Sequence, residues 1–307
     1  MQQLLKPSPI DLENILLVTG APPWPDLSLP YARELAHTHG ARMQVAHLVS
    51  AELRSKVTEL RARQNGGLAS QVSHAKPHAP ALVDRSGLEQ TLLEITAHQN
   101  FDLVIASSMI PRPGSAPSLG QAVEQALSLA DSPVLVFGPR VVEDASKTRP
   151  HTIVHAIDFS PQAIAAGEHA LSWAQEHLAW LTMLHVVEGI QPRDENARAS
   201  VAKPFRRWME ELVPAEASLW CEVDHRIEFG DPAEAIVATA REMDAGLIVI
   251  GLSGLDGAAS HSAGCTARKV MMEAPCPVLV VRDYMVKRAA VPVAKRQEQR
   301  FAMPLAA

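Results

Sequence analysis

The sequence predicts an α/β protein built from two doubly wound domains in tandem, each Rossmann-like with a five-stranded parallel sheet. Three observations carry this. Apolar, strand-like runs alternate with helix-like segments, the pattern of right-handed βαβ crossovers that put helices on both faces of a sheet. The chain also repeats itself. Ile15-Leu16-Leu17-Val18 echoes Ile153-Val154-His155-Ala156, and Ala46-His47-Leu48-Val49 echoes Leu184-His185-Val186-Val187, both at an offset of 138. Phe101-Asp102-Leu103-Val104-Ile105 echoes Ala245-Gly246-Leu247-Ile248-Val249, and Ser132 to Phe137 echoes Cys276 to Val281, both at an offset of 144. Finally, 47% of residues are hydrophobic but only 4% aromatic, which suits the aliphatic interior of a covered parallel sheet.

Each copy reads as strand, helix, strand, a long polar stretch with a helix, strand, helix, strand. In the N-terminal copy, residues 1–140, the landmarks above mark four of the strands. The stretch Arg63 to Pro80, rich in Gly, Ser, His and Pro, reads as a mobile loop. A polar linker, 141–150, leads into the C-terminal copy, 151–284. There the strands are expected at about 151–157, 181–187, 222–228, 246–250 and 277–281, and the helices at about 161–178, 196–213, 232–243 and 264–273. Asp231-Pro232 reads as an N-cap followed by proline at the first helical position. A basic tail, 285–307, is expected to be disordered.

Bulk properties narrow the function. The net charge of -6 gives no sign of a nucleic-acid partner. Cys221, Cys265 and Cys276 form no CxxC pair, so neither a disulfide framework nor a zinc site is indicated, and a reducing, cytoplasmic setting fits. No apolar run approaches the roughly 18 residues of a membrane span, and Met1 to Asn14 does not resemble a signal peptide. His47 and His185 occupy matched strands and read as core or rim residues; His74, His78, His98, His151 and His155 show no metal-ligand spacing. Phe205 to Met209 and Lys287 to Arg300 carry positive charge, read as a solvated face and the tail. No nucleophile elbow or Gly-Lys-Ser/Thr loop occurs, so no catalytic residue is assigned.

The most informative stretch runs from Leu247 to Val281. A strand-like run, Leu247 to Ile250, empties into Gly251-x2-Gly254-x9-Gly264, then a helix-like segment and a second strand. Glycines let the backbone approach a phosphate, and a helix N-terminus offers free N–H groups and a positive dipole end.

Here the chain resembles the universal stress protein family in tandem form. The carrying motifs are Ile157-Asp158-Phe159-Ser160-Pro161, His185-Val186-Val187, Gly230-Asp231-Pro232, the glycine spacing, and Ala274 to Val281. The resemblance implies a stress-response regulatory protein, with a nucleotide at the strand ends in the members that bind one. It implies ATP or AMP as ligand of the C-terminal copy alone, with Mg2+ accompanying ATP. Asp158 would then accept hydrogen bonds from the nucleoside, and Gly251, Gly254 and Gly264 would cradle phosphate together with Cys265 and Thr266. Cys265 departs from the family, which usually has Ser or Thr there; a thiol donates weakly, and Thr266 is the neighbouring hydroxyl. Asp256 in the loop repels phosphate unless Arg268 and Lys269 face it. The N-terminal copy lacks the aspartate and the first glycines and carries Pro111, Pro113 and Pro117, so no nucleotide is expected there.

Two further readings stand beside this one: a nucleotide-free interaction or scaffold protein with an unidentified protein partner, and a weak adenine-nucleotide hydrolase. The apolar last strands, 133–137 and 277–281, are expected to pair within the chain as a pseudo-dimer, which leaves further homodimerisation open.

Overall fold

The computed structural model describes residues 4–20, 27–49, 81–84, 100–108, 119–141, 149–190, 192–252 and 263–282. The N-terminal half supplies β1 (Asn14–Gly20), α1 (Ser28–His39), β2 (Arg42–Val49), β3 (Ala81–Asp84), β4 (Leu103–Ser107), α2 (Gly120–Leu129) and β5 (Val134–Phe137). The C-terminal half supplies β6 (Thr152–Ala156), α3 (Pro161–His177), β7 (Trp180–Val187), α4 (Glu195–Leu212), a 3-10 turn (Ala215–Leu219), β8 (Val223–Phe229), α5 (Pro232–Glu242), β9 (Leu247–Leu252), α6 (Ala263–Glu273) and β10 (Val278–Arg282). The elements expected in the C-terminal half are all present, with ends shifted by one or two residues. The loop expected at Arg63 to Pro80 and the tail 285–307 lie outside the described residues, as do 142–148 of the linker.

Local chemistry explains the helix starts. Ser160 caps α3, its Oγ accepting from the Ala163 N–H at 3.2 Å, and Pro161 needs no partner at the first helical position. Asp231 caps α5, accepting from the Glu234 N–H at 2.9 Å ahead of Pro232. Most of the buried residues of α3 are small, Ala163, Ala166, Gly167, Ala170 and Ala174, with Leu171 and Trp173 buried beside them.

All ten strands form one sheet in the order β3-β2-β1-β4-β5-β10-β9-β6-β7-β8. Within each half every neighbouring pair is parallel, in the same order of first strand at the centre. The halves join through one antiparallel pair, β5 with β10, in the register Val134↔Val280, Leu135↔Leu279 and Val136↔Val278. The repeat offset of 144 maps Val134 onto Val278 and Val136 onto Val280, so the joint is symmetric about Leu135 and Leu279. This is the pairing expected of the two apolar last strands. Both leucines are fully buried. The core lies in two layers, one on each face of the sheet, and each layer runs through both halves. Val134, Val136, Val278 and Val280 sit in one layer, and Leu135 and Leu279 in the other, as strand alternation requires.

Candidate functional site

A doubly wound sheet binds ligands beyond the C-terminal ends of its strands, where the strand order reverses. In the C-terminal half that point lies between β6 and β9, since the chain passes from β6 to β7 on one side and returns to β9 and β10 on the other. A cavity of about 230 Å³ opens there. Its walls come from the segment after β6 (Ile157, Asp158, Ser160), the end of β7 (His185, Glu188), the end of β9 (Ile250, Gly251), the start of α5 (Pro232, Ile236) and α6 (Thr266, Ala267, Val270).

The strand-to-helix turn after β6 is tightly organised. Asp158 Oδ1 accepts from the Ser160 N–H at 2.9 Å, which folds the chain back over the intervening residue. That residue, Phe159, sits at a φ of 62°, in the left-handed region that costs a non-glycine side chain energy. The turn leaves Asp158 exposed at the cavity rim.

His185 reaches the same turn from β7. Its Nδ1–H donates to the Ile157 carbonyl at 2.7 Å, and its ring stacks on Phe205 of α4 with centroids 4.4 Å apart. Burial lowers its pKa, against the opposing pull of that hydrogen bond and of Asp158, so the ring is neutral around pH 7. Expected as a core or rim residue, His185 is half-buried in the cavity wall.

Gly251 faces the start of α3. A Cβ here would lie 2.5 Å from the Ala163 nitrogen and 2.5 Å from the Gln162 carbonyl carbon, so only glycine lets β9 and α3 meet this closely. Thr266, the hydroxyl residue beside Cys265, lines the cavity, while Gly264 and Cys265 lie in the first turn of α6. Gly254 and Asp256 fall outside the described residues.

The two cations that follow the glycine loop are engaged elsewhere. Arg268 pairs with Glu124 of α2, in the other half, and Lys269 Nζ lies 3.3 Å from Asp231 Oδ2. Neither lines the cavity. The Asp231 carboxyl is held below its usual range, first by the Glu234 N–H and then by Lys269. Glu188 is the cavity residue that sequence reasoning missed. Its only signal is its place directly after the apolar run of β7, beside the strand that leads into Asp158.

A larger cavity of about 590 Å³ lies away from these residues. The N-terminal segment, the approaches to β4 and β5, α3 and β10 enclose it, and its lining mixes Lys6 and Arg282 with Asp11, Asp102, Asp131 and Glu168. Among the described residues no three His, Cys, Asp or Glu side chains are grouped to hold a metal, and no helix is long and apolar enough to cross a membrane.

A model of the universal stress protein family matches residues 150–282. A universal stress protein of Thermus aquaticus is 38% identical over 136 residues, covering 43% of this chain and 98% of that protein. A relative from Staphylococcus epidermidis is 31% identical over 137 residues, covering 42% of this chain and 82% of its own length. Over nearly the whole chain the fold matches a universal stress protein structure from Archaeoglobus fulgidus, with a TM-score of 0.59, 19% identity and coverage of 88% and 98%. A Pseudomonas aeruginosa structure matches similarly, with a TM-score of 0.60, 22% identity and coverage of 88% and 93%. With the doubly wound order of β6 to β10 behind it, the 38% identity that spans 98% of the Thermus protein means that the chain belongs to the universal stress protein family.

Proposed function

We propose that the protein is a stress-response regulator whose C-terminal half binds an adenine nucleotide, ATP or AMP, in the cavity between Asp158 and Gly251. The observation that carries this is the convergence of Asp158, Gly251 and Thr266 on one cavity at the switch point. Asp158 supplies a carboxylate for ribose hydroxyls or a base amine. Thr266 and the first turn of α6 supply a hydroxyl and backbone donors for a phosphate oxygen. Gly254, Gly264 and Cys265 complete the cradle in this reading. Mg2+ would enter with ATP, carried by the phosphates and one or two carboxylates, the ordinary mode for this ion. The N-terminal half serves as a structural or regulatory partner, and the setting is the cytoplasm.

Titration calorimetry of the full chain tests this. Millimolar ATP and AMP should give saturable heats that Asp158→Ala reduces at least tenfold. The absence of heat with either nucleotide would exclude the reading. A nucleotide-free interaction protein is the second reading, and one observation favours it. The approach of α3 requires Gly251 whether or not a ligand is present, so that glycine alone is no proof of a phosphate cradle.

A further inference from the structure

We propose that the C-terminal half carries a docking surface for a basic, aliphatic protein segment, at the end of the sheet opposite the cavity. This stands apart from the nucleotide reading. Four large apolar side chains are exposed there: Leu178 at 77%, Trp180 at 56%, Leu219 at 76% and Trp220 at 38%. Strand pairing gathers them. Trp180 opens β7, and the Leu181 N–H donates to the Glu222 carbonyl at 2.9 Å, which brings the residues just before β8 beside it. Leu178 stands two residues before Trp180, and Leu219 and Trp220 close the 3-10 turn that leads into β8. Single exposed apolar residues are ordinary on a surface, but a cluster with two tryptophans has the composition of an interface.

The fold does not require these side chains. The repeat offset of 138 sets Gly40-Ala41-Arg42 on Leu178-Ala179-Trp180, and the two turns are built alike. Gly40 and Leu178 take φ values of 64° and 51°. The Ala41 N–H donates to the Ala36 carbonyl at 2.9 Å, and the Ala179 N–H to the Ala174 carbonyl at 2.9 Å. The N-terminal half closes its helix with glycine, the residue this backbone favours, and follows with an exposed arginine. The C-terminal half holds a leucine in the same left-handed conformation, at an energetic cost, and then a tryptophan, both facing solvent.

Charge defines the occupant. Glu176, Glu216, Glu222 and Asp224 are all exposed, and the stretches 176–180 and 215–224 contain no lysine or arginine. Burial lowers the pKa values of His177 and His225, so neither adds positive charge around pH 7. Arg226 of β8 is committed to Glu228 and Glu242, and Arg149, which faces His177, to Glu34. Arg206 faces His225 from α4 beside Glu210, which offsets it. An apolar surface among carboxylates attracts a segment whose lysines or arginines flank aliphatic side chains, and it repels a second copy of itself.

The test is fluorescence anisotropy of the full chain with labelled peptides of equal length and leucine content, whose remaining positions are lysine, serine or glutamate. The lysine peptide should bind saturably, roughly tenfold tighter than the other two, and less tightly as salt rises. Trp180→Ser with Trp220→Ser should weaken it roughly tenfold at an unchanged melting temperature. Leu178→Gly with Leu219→Ser should do the same, and Leu178→Gly copies the residue of the other half. Glu176→Lys with Glu222→Lys should transfer the preference to the glutamate peptide. Glu13→Lys with Glu195→Lys, at exposed acids elsewhere, should leave binding unchanged. An equal loss from that last pair would reduce the binding to general charge attraction and overturn the proposal. A lysine peptide that binds no better than the serine peptide would overturn it as well. So would a dimer in sedimentation that Trp180→Ser dissolves, since the occupant is then a second copy of the chain.

Discussion

At Gly251 a side chain would have to displace backbone, since the atoms nearest a Cβ belong to the peptide linking Gln162 and Ala163. Gly251→Ala should therefore lower unfolding free energy by about 1–3 kcal/mol, read from the denaturant midpoint, even without ligand. A bulkier valine would confound any binding assay by unfolding the site. His155 offers a second test. It is fully buried on β6, and burial lowers its pKa from 6.5 to about 4 while Nδ1 contacts the Val249 carbonyl at 3.2 Å. The unfolded chain thus binds a proton that the folded chain refuses between about pH 6.5 and pH 4. Stability from this residue is complete above pH 6.5 and is lost as pH falls through that window, by about 3 kcal/mol in all. The matched position in the N-terminal half is Leu17, equally buried. His155→Leu should flatten urea stability across that window; an unchanged slope would assign it to other groups, among them His177, whose pKa burial also lowers to about 4. Asp158 and Gly251 are legible in the sequence because each stands where an apolar run breaks. Glu188 is not, because a lone carboxylate after a strand has no pattern until β7 is laid beside β6.

The strands were the most readable elements. Runs such as Leu247 to Ile250 and Val278 to Val281 are apolar throughout, as strands covered on both faces must be, and all eight of these residues are buried. The pairing of β5 with β10 was also readable, from the cost of leaving an apolar edge open. It makes a sharp prediction. Leu135→Lys and Leu279→Lys each place a charge at a fully buried position on the symmetry point of the joint. Each should cost on the order of 4 kcal/mol, and the pair together should enlarge the radius of gyration in solution scattering. Less legible was the fate of α6. Arg268 and Glu124 are 144 residues apart, the repeat offset itself, so each is the positional twin of the other across the joint. Gly138, just past β5, also lies against α6, where a Cβ would sit 2.0 Å from the Met271 carbonyl oxygen. The helix that borders the cavity is thus braced by the other half, a contact that no local pattern announces.

Over the whole molecule, the least foreseeable feature is the path of the N-terminal segment. It leaves its own half and crosses to the other. The Leu5 N–H donates to the Leu212 carbonyl at 2.9 Å, the Ser8 N–H to Ser172 Oγ at 3.1 Å, and Leu5 itself is buried beside Gly167. Neither repeat nor periodicity reports such a crossing, because it depends on where α3 and α4 end up. Leu5→Ala should cost about 2–5 kcal/mol, seen as a lower melting temperature of the full chain. A fragment of residues 150–282 should be less stable than the same half within the whole. Equal melting of fragment and full chain would show the segment to be dispensable.

The joint through β5 and β10 has a consequence for how the two halves can change over time. Two separate molecules joined by the same strands would drift apart as they became scarce. Here the partner strand travels on the same polypeptide, at an effective concentration of roughly millimolar that no dilution can lower. Every copy of the protein is therefore assembled, however few there are in the cell. The N-terminal half, with Pro111, Pro113 and Pro117 in its sequence in place of the glycine spacing, is held against the other half by the same strand.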